Sequence, residues 1–279
     1  MQGITYLEAE FSSPQQDVFE ILMAELADIG FESFTEEEDS LKAFIQKDIY
    51  AEADFSELCD RLLHKFPFSY KLREIAPQNW NAVWESNFPD ITVDDKVHVR
   101  AQFHEPKPEY PIEIVIQPKM SFGTGHHATT WSVMKLMLDI DFSHKKVFDF
   151  GTGTGILAIL AQKLGATEIW AVDNDPQCIE NSEENFELND TQEIKLALGD
   201  ITAFQNNTYD IIIGNITRNV ILAFIGQIAT NLKQNGVFIA SGFYENDLAV
   251  IEEAAAALSL KLKTMQSRDN WCAAVFTKL

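Results

Sequence analysis

Two hydrophobic periodicities alternate along residues 1–76 of this 279-residue chain. Stretches with an apolar residue at every second position predict β-strands, and stretches with apolar residues every three or four positions predict α-helices. The predicted elements are a strand over 4–11, a helix over 14–30, strands over 31–35 and 41–50, a helix over 55–66 and a strand over 69–75. An acidic turn over 36–39 is expected between the second and third strands. This order predicts a small α+β unit of the ferredoxin-like type.

Residues 77–117 follow a different pattern. Trp80, Trp84 and Phe88 fall on one face of a predicted short helix. That face either packs between two domains or offers an aromatic platform to a substrate, and the pattern favours packing. Two β-rich stretches, 96–101 and 112–117, come next.

From residue 119 onward, helices alternate with strands that are apolar on both faces, which is typical of a parallel sheet. Strands are predicted over 147–150, 168–173, 194–198, 209–214 and 236–241, and residues 260–266 and 271–277 form a closing antiparallel hairpin. Seven strands that end in a hairpin are typical of class I methyltransferases rather than of dehydrogenases. We therefore predict an α/β, Rossmann-like seven-stranded domain over 101–279. A linker helix with connecting strands (77–100) and the ferredoxin-like domain (1–76) precede it.

The strongest local signal is the glycine-rich turn after the strand 147–150. Gly151, Gly153 and Gly155 follow that strand at once, and an apolar helix begins directly after them. The missing Cβ atoms allow a sharp turn and let a ligand approach main-chain N–H groups. The next strand ends in Asp173, whose carboxylate can accept hydrogen bonds from both ribose hydroxyls. The pattern favours a nucleoside cofactor, and a tight turn with no ligand is the alternative.

Composition narrows the choice of partners. The net charge is −22, and residues 1–76 carry 17 acidic against 6 basic residues. Such a surface repels nucleic acid and attracts a basic partner, although acidity for solubility alone explains it equally well. We expect no membrane segment, because no apolar run reaches the roughly 18 residues that a spanning helix needs. Three widely spaced cysteines predict neither a disulfide nor a thiolate metal site, and a reducing cytoplasm fits them.

The loop 119–130 holds further polar candidates just before a predicted helix. His126 and His127 invite a metal or general-base interpretation, but no carboxylate or cysteine lies at ligand spacing, so no metal is predicted. Thr129 and Thr130 are equally explained as helix caps. Asp200, after the third strand of the domain, is either an adenine contact or a plain turn residue.

Several stretches together resemble the bacterial methyltransferases that modify large-subunit ribosomal protein L11. The matching stretches are Asn79-Trp80 with Trp84, Phe122-Gly-Thr-Gly with Thr129-Thr130, Asp149-Phe-Gly-Thr-Gly-Thr-Gly155, Gly214-Asn-Ile216, Ser241-Gly242 and Trp271-Cys272. The resemblance covers nearly the whole chain. It implies an S-adenosylmethionine-dependent N-methyltransferase that acts on lysine side chains or the N-terminal amine of that ribosomal protein. The substrate would dock on the acidic N-terminal domain. Separately, we expect the enzyme to be a monomer.

The resemblance also implies site residues. Cofactor contacts carry over onto Thr130, Gly151, Gly153, Asp173 and Asn215. The chain departs from the family pattern at His126-His127-Ala128, where Thr-His-Pro is usual, and at Ile216-Thr217-Arg218, where Ile-Leu-Ala is usual.

Asn215 is the predicted catalytic residue. It lies at the carboxyl end of a buried strand, and its side-chain oxygen can accept a hydrogen bond from the target amine or hold the methionine moiety of the cofactor. His127 as a general base is the alternative. For the function as a whole, the alternatives are a methyltransferase for another basic protein, a small amine or a nucleic acid, and an acidic binding module without activity.

Overall fold

The computed structural model describes residues 5–37, 39–75, 88–119, 121–203 and 207–279. The chain divides into two compact units, Met1–Phe88 and Pro89–Leu279. None of the helices in these described ranges is both long and apolar enough to cross a bilayer.

The first unit has the predicted order of elements. They are β1 (Tyr6–Ser12), α1 (Asp17–Asp28), β2 (Ser33–Glu37), β3 (Ser40–Gln46), α2 (Glu52–Leu63) and β4 (Ser69–Ile75). The four strands pair antiparallel in the order β2-β3-β1-β4, which is the ferredoxin-like arrangement. Alternate residues of β1, among them Ala9 and Phe11, are buried together with the apolar faces of α1 and α2, such as Leu22 and Phe55.

Two boundaries in this unit differ clearly from the sequence pattern. The strand predicted over 41–50 ends at Gln46, because residues 47–49 form a turn. Glu36 and Glu37 belong to β2 and not to a turn, since they pair with Leu41 and Ser40 across the hairpin. The acidic run misled the prediction because carboxylates are common in turns, whereas here they lie on an exposed edge strand. The predicted aromatic helix lies outside the described residues apart from Phe88.

The second unit begins with a small three-stranded sheet. Its strands are β5 (Ile91–Val93), β6 (Val97–Arg100) and β7 (Ile112–Val115), and β5, with only three residues, has no clear sequence signal. Lys107 and the buried His98 both contact Asp90, with His98 Nε2 2.6 Å from Asp90 Oδ2. These bonds fix the sheet at the start of the unit.

The larger sheet has the predicted seven strands, in the order β10-β9-β8-β11-β12-β14-β13. The elements are α3 (Ala128–Met137), β8 (Lys146–Phe150), α4 (Ile156–Lys163), β9 (Glu168–Asp173), α5 (Pro176–Leu188), β10 (Lys195–Leu198), β11 (Tyr209–Asn215), α6 (Arg218–Asn231), β12 (Leu232–Tyr244), α7 (Leu248–Ala256), β13 (Leu260–Arg268) and β14 (Trp271–Lys278). Strands β8 to β12 run parallel, and β14 pairs antiparallel with β12 and β13. This confirms the predicted Rossmann-like class.

Helices cover both faces of this sheet. One apolar core lies beneath α3 and α4, with Met134 and Ile159 against Val147, and the other lies beneath α6 and α7, with Ile221 and Ile251. Strand order reverses between β8 and β11, because the chain passes from β10 at one edge back to β11 beside β8. In such sheets a crevice opens outside the carboxyl ends of the strands at this point.

Candidate active site at the carboxyl ends of the strands

The turn between β8 and α4 can be built only from glycine at its key positions. Gly151, Gly153 and Gly155 have φ angles of 77°, 58° and 81°, which residues with a Cβ rarely adopt. A Cβ on Gly153 would lie 2.3 Å from the carbonyl oxygen of Phe122, and one on Gly151 would lie 2.3 Å from Ile216 Cγ2. The turn is therefore clamped between two neighbouring segments.

The N–H groups of this turn are used within the protein, which corrects the expectation that they face a ligand. Those of residues 151 and 152 donate to the Val172 carbonyl at 2.9 Å, and that of Gly153 donates to Asp173 Oδ2 at 2.9 Å. Residues 154 and 155 donate to other carbonyl oxygens. A glycine turn that binds a pyrophosphate points N–H groups at the phosphate oxygens. This turn does not, so it suits a nucleoside ligand without a phosphate at that position.

Asp173 lies at the end of β9 and lines a cavity of about 850 Å³. Its Oδ2 accepts the Gly153 N–H and its Oδ1 accepts the Asp175 N–H at 3.0 Å. These two bonds fix the orientation of the buried carboxylate. Each oxygen keeps capacity for a further hydrogen bond, so the group can still accept from ligand hydroxyls.

Asn215 ends β11 on the other side of β8. Its Nδ2 donates to Thr130 Oγ1 at 3.1 Å, which fixes the orientation of the amide. Its Oδ1 is buried and has no hydrogen-bond partner among the described residues. A buried carbonyl oxygen without a partner is costly, so a ligand donor is expected there.

Thr130 reaches the site through Asn215. Thr130 and its neighbour Thr129 are both completely buried, but only Thr129 lines the cavity. The structure therefore makes Thr130 the residue that holds Asn215, and a direct contact between Thr130 and a cofactor stays a prediction.

The segment of Asn215 and Ile216 is held by a second glycine. Gly242 has a φ of 92°, and a Cβ there would lie 2.3 Å from the carbonyl oxygen of Ile216. The Ile216 N–H donates to Ser241 O at 3.0 Å. Gly151 and Gly242 thus contact the segment from two sides, which explains why a glycine follows Ser241.

His127 caps α3. Its Nδ1 accepts the Thr129 N–H at 3.3 Å and lies 2.8 Å from Thr129 Oγ1. An accepting Nδ1 carries a lone pair, so the neutral ring has its hydrogen on Nε2. A general base needs a free lone pair for the incoming proton, and this geometry leaves only a donor. The capping role argues against His127 as the base.

The remaining candidates have modest roles. Asp200 Oδ1 accepts from both Thr202 N at 2.8 Å and Thr202 Oγ1 at 2.7 Å, and this turn residue also lines the cavity. His126 Nε2 is 2.9 Å from the carbonyl oxygen of Pro89. No group of three His, Cys, Asp or Glu side chains able to hold a metal ion occurs within the described ranges. Burial raises the pKa of the Cys178 thiol, which lines the cavity and stays protonated.

The sequence pattern does not single out the apolar wall of the cavity. Phe150, Val220 and Phe224 line it, and the Phe150 and Phe224 rings meet edge to face at 5.4 Å. The i, i+4 spacing of Val220 and Phe224 on α6 is the signal that could have placed them on one face. A cavity that combines apolar side chains with a fixed carboxylate suits a purine and a ribose.

Asp149 carries a strongly perturbed carboxyl group beneath the glycine turn. Asp149 is completely buried, and this burial raises the pKa of its carboxyl group to about 7. The negative charge of Asp173 also raises this pKa, whereas the hydrogen bond from the Thr152 hydroxyl, at 2.6 Å, lowers it. The folded protein therefore holds a proton on Asp149 over a pH range where the unfolded chain has lost it. The stabilisation from that proton is complete below pH 4 and is lost as the pH rises through 7.

Asp149→Asn should remove this pH dependence. Between pH 5 and pH 8, the unfolding free energy of the unsubstituted protein should fall relative to that of the variant by about 3 kcal/mol. Urea denaturation of both proteins at each pH measures the difference in unfolding free energy. The contributions of the other titrating groups cancel in this difference, because both proteins contain them. A difference that is the same at both pH values would show that Asp149 is ionised throughout.

Comparison with known proteins decides the family. The family model described as ribosomal protein L11 methyltransferase (PrmA) matches residues 1–279. The chain belongs to this family. A ribosomal protein L11 methyltransferase of Porphyromonas gingivalis is 42% identical over 94% of this chain and 91% of its own length. One from Phocaeicola vulgatus is 36% identical over 97% of this chain and 98% of its own length.

A solved structure agrees with the sequence comparisons. The ribosomal protein L11 methylase of Lactobacillus delbrueckii subsp. bulgaricus superimposes with a TM-score of 0.64 at 28% identity, covering 68% of this chain and 99% of that protein. As a PrmA-family protein, the chain is an S-adenosylmethionine-dependent methyltransferase, as predicted. The alternative of an acidic binding module without activity is excluded.

Proposed function

We propose that the protein transfers methyl groups from S-adenosylmethionine to lysine side chains or the N-terminal amine of ribosomal protein L11. The relatives named for that activity match almost the full length of the chain, which supports the same substrate here. The net charge of −22 favours a basic protein partner, and a ribosomal substrate places the enzyme in the cytoplasm.

Four residues form the proposed cofactor site. Gly151 and Gly153 shape the turn, the fixed Asp173 carboxylate accepts from the ribose hydroxyls, and Asn215 lies across β8 from it. The three carboxylates at that end of the cavity, Asp173, Asp175 and Asp200, favour a cationic ligand. When bound, S-adenosylmethionine supplies a methyl group that is already activated by its sulfonium.

The single observation that supports the catalytic assignment is the orphaned oxygen of Asn215. Its Oδ1 is buried and has no partner within the part of the chain that the structure describes, while Thr130 holds the amide in place. That oxygen accepts a hydrogen bond from the target amine and orients its lone pair towards the methyl group. Alignment of this kind supplies most of what an in-line displacement needs.

The amine must lose its proton before it reacts. At a reference pKa near 10.4, only about one lysine in 2,500 is neutral at pH 7. The apolar residues of the cavity, such as Ile216 and Phe224, disfavour the charged form and so lower the pKa of an amine placed among them. Water then takes the proton, and no residue is required as a general base.

The helical face of the first unit is the proposed docking surface for the ribosomal protein. Helices α1 and α2 carry eight carboxylates and a single cation, Arg61, which pairs with Glu25 at 2.5 Å. The opposite face of the sheet is electrically mixed, with Arg73 paired to Glu8 and Lys42 paired to Glu37. The helical face is therefore the more acidic of the two, and a basic partner fits it.

Two measurements test this function. Calorimetric titration should show binding of S-adenosylmethionine and none of a nicotinamide dinucleotide, and labelled methyl groups should appear on purified ribosomal protein L11.

Replacing Asp54 and Glu57, both exposed on α2, with lysine should raise KM for the ribosomal protein and leave cofactor affinity unchanged. Binding of the dinucleotide alone, or no labelling of L11, would overturn the proposal.

A further inference from the structure

Four aromatic rings form a continuous wall beside the cavity, and three of them, Phe122, His127 and Trp271, line it. The aromatic wall consists of Phe122, His127, Trp271 and Tyr244. The Trp271 ring stacks on the Tyr244 ring with a centroid distance of 4.1 Å. The His127 ring meets the Trp271 ring edge to face at a centroid distance of 4.8 Å, and its centroid lies 5.2 Å from that of Phe122. Phe122 and Tyr244, the two ends of the wall, are each 51% exposed, so the wall is accessible to a partner.

The strand order places Tyr244 and Trp271, at one end of this wall, on the far side of Asn215 from Asp173. Asp173 ends β9, Asn215 ends β11 and Trp271 begins β14, whose start lies at the same edge because β14 is antiparallel. At about 4.8 Å per strand, β9 and β14 are about 19 Å apart, with Asn215 between them. If the ribose lies against Asp173, the space on the other side of Asn215 remains for the methyl acceptor.

We propose that the aromatic wall is the surface on which the acceptor's amine-bearing side chain lies while Asn215 orients its nitrogen. This inference rests on the proposed function. Aromatic faces attract an ammonium group and also pack against the aliphatic stem of a lysine. The wall therefore selects a long, flexible amine over a polar or anionic group.

An ion pair connects the aromatic wall to the segment of Asn215. It is formed by Arg218, a residue at which the chain departs from the family pattern. Arg218, three residues after Asn215, donates from Nη1 to Asp247 Oδ1 at 2.6 Å. Asp247 Oδ2 accepts the Tyr244 N–H at 3.3 Å. The pair thus connects the segment that carries Asn215 to the residue that stacks on Trp271. Such a half-exposed pair adds little to folding stability, so its effect should appear in the handling of the acceptor.

Single substitutions in the wall test the proposal. Trp271→Leu and Tyr244→Leu should each raise KM for the ribosomal protein about tenfold, whereas Trp271→Phe, which keeps a ring, should raise it about twofold. The dissociation constant of S-adenosylmethionine, measured by calorimetry, should stay within about twofold in all three. Phe103→Leu is the matched control, since Phe103 is 37% exposed and does not line this cavity.

A binding measurement without turnover gives an independent readout. Affinity for a lysine-containing peptide of the ribosomal protein, titrated without cofactor, should fall with Trp271→Leu and not with Phe103→Leu. Arg218→Asp and Asp247→Arg should each raise KM, and the double swap should restore it. If wall variants methylate like the unsubstituted protein, the wall has no role in acceptor binding. If they lose cofactor affinity equally, the wall belongs to the cofactor. If the unsubstituted protein does not methylate L11, the proposed function itself fails.

Discussion

Gly153→Ala is expected to weaken the binding of S-adenosylmethionine at least about a hundredfold, and this is the largest effect on the cofactor site. A Cβ at this position would lie 2.3 Å from the Phe122 carbonyl oxygen, at a φ of 58°. That oxygen accepts the Thr154 N–H at 3.0 Å, so it cannot move away without losing a bond. The Gly153 N–H also fixes Asp173, so a shift of the turn misplaces the carboxylate. A hundredfold loss corresponds to about 2.7 kcal/mol, within the range of a strained backbone combined with a lost ligand contact.

Calorimetric titration measures this effect, and Gly226→Ala is the matched control. Gly226 lies in α6, and an added Cβ there meets no atom within 4 Å. Its replacement should leave cofactor affinity unchanged and stabilise the protein by up to about 1 kcal/mol, because alanine favours a helix. Circular dichroism must show that both variants are folded. Cofactor affinity in Gly153→Ala within about threefold of the unsubstituted protein would show that the turn does not position the ligand.

Much of this architecture could be predicted from the sequence because the signals are local. The glycine turn, the buried strands and the final hairpin each follow from residues close together in the chain, and Asp173 and Asn215 are identified by their places at strand ends. The three-residue strand β5 has too few positions to show a periodicity. The pairing of Glu36 and Glu37 depends on a neighbouring strand and not on their own preference for turns.

Other features of the site depend on tertiary contacts that no local pattern encodes. Whether the N–H groups of the glycine turn face a ligand is decided by Val172 and Asp173 on the next strand. The support of Asn215 by Thr130 joins residues 85 positions apart. The aromatic wall gathers rings from the segment before α3, the end of β12 and the start of β14, and its members are recognisable only when the sheet is assembled.

Asn215→Ala should lower kcat for methyl transfer about a hundredfold, and any loss of cofactor affinity should be much smaller, because Gly151, Gly153 and Asp173 remain. Among the described residues that line the cavity, Asn215 alone has a buried side-chain oxygen without a partner, and the substitution removes this proposed acceptor for the amine. Removal of a single preorganised hydrogen-bonding group at a reacting centre typically costs a factor of 10² to 10³. Single-turnover transfer of labelled methyl groups to the ribosomal protein measures the chemical step directly.

Three further variants separate an orienting role from a base. Asn215→Asp keeps an oxygen acceptor that Thr130 can still hold and should retain more activity than Asn215→Ala. Thr130→Val removes the partner of the Asn215 amide and should cost about tenfold, since the side chain keeps its shape but loses its anchor. His127→Asn keeps a helix-capping acceptor and removes the ring, so it should alter KM for the acceptor more than kcat. A kcat that collapses in His127→Asn, together with loss of an ionisation from the pH–rate profile, while Asn215→Ala stays active, would make His127 the base and Asn215 a mere structural residue.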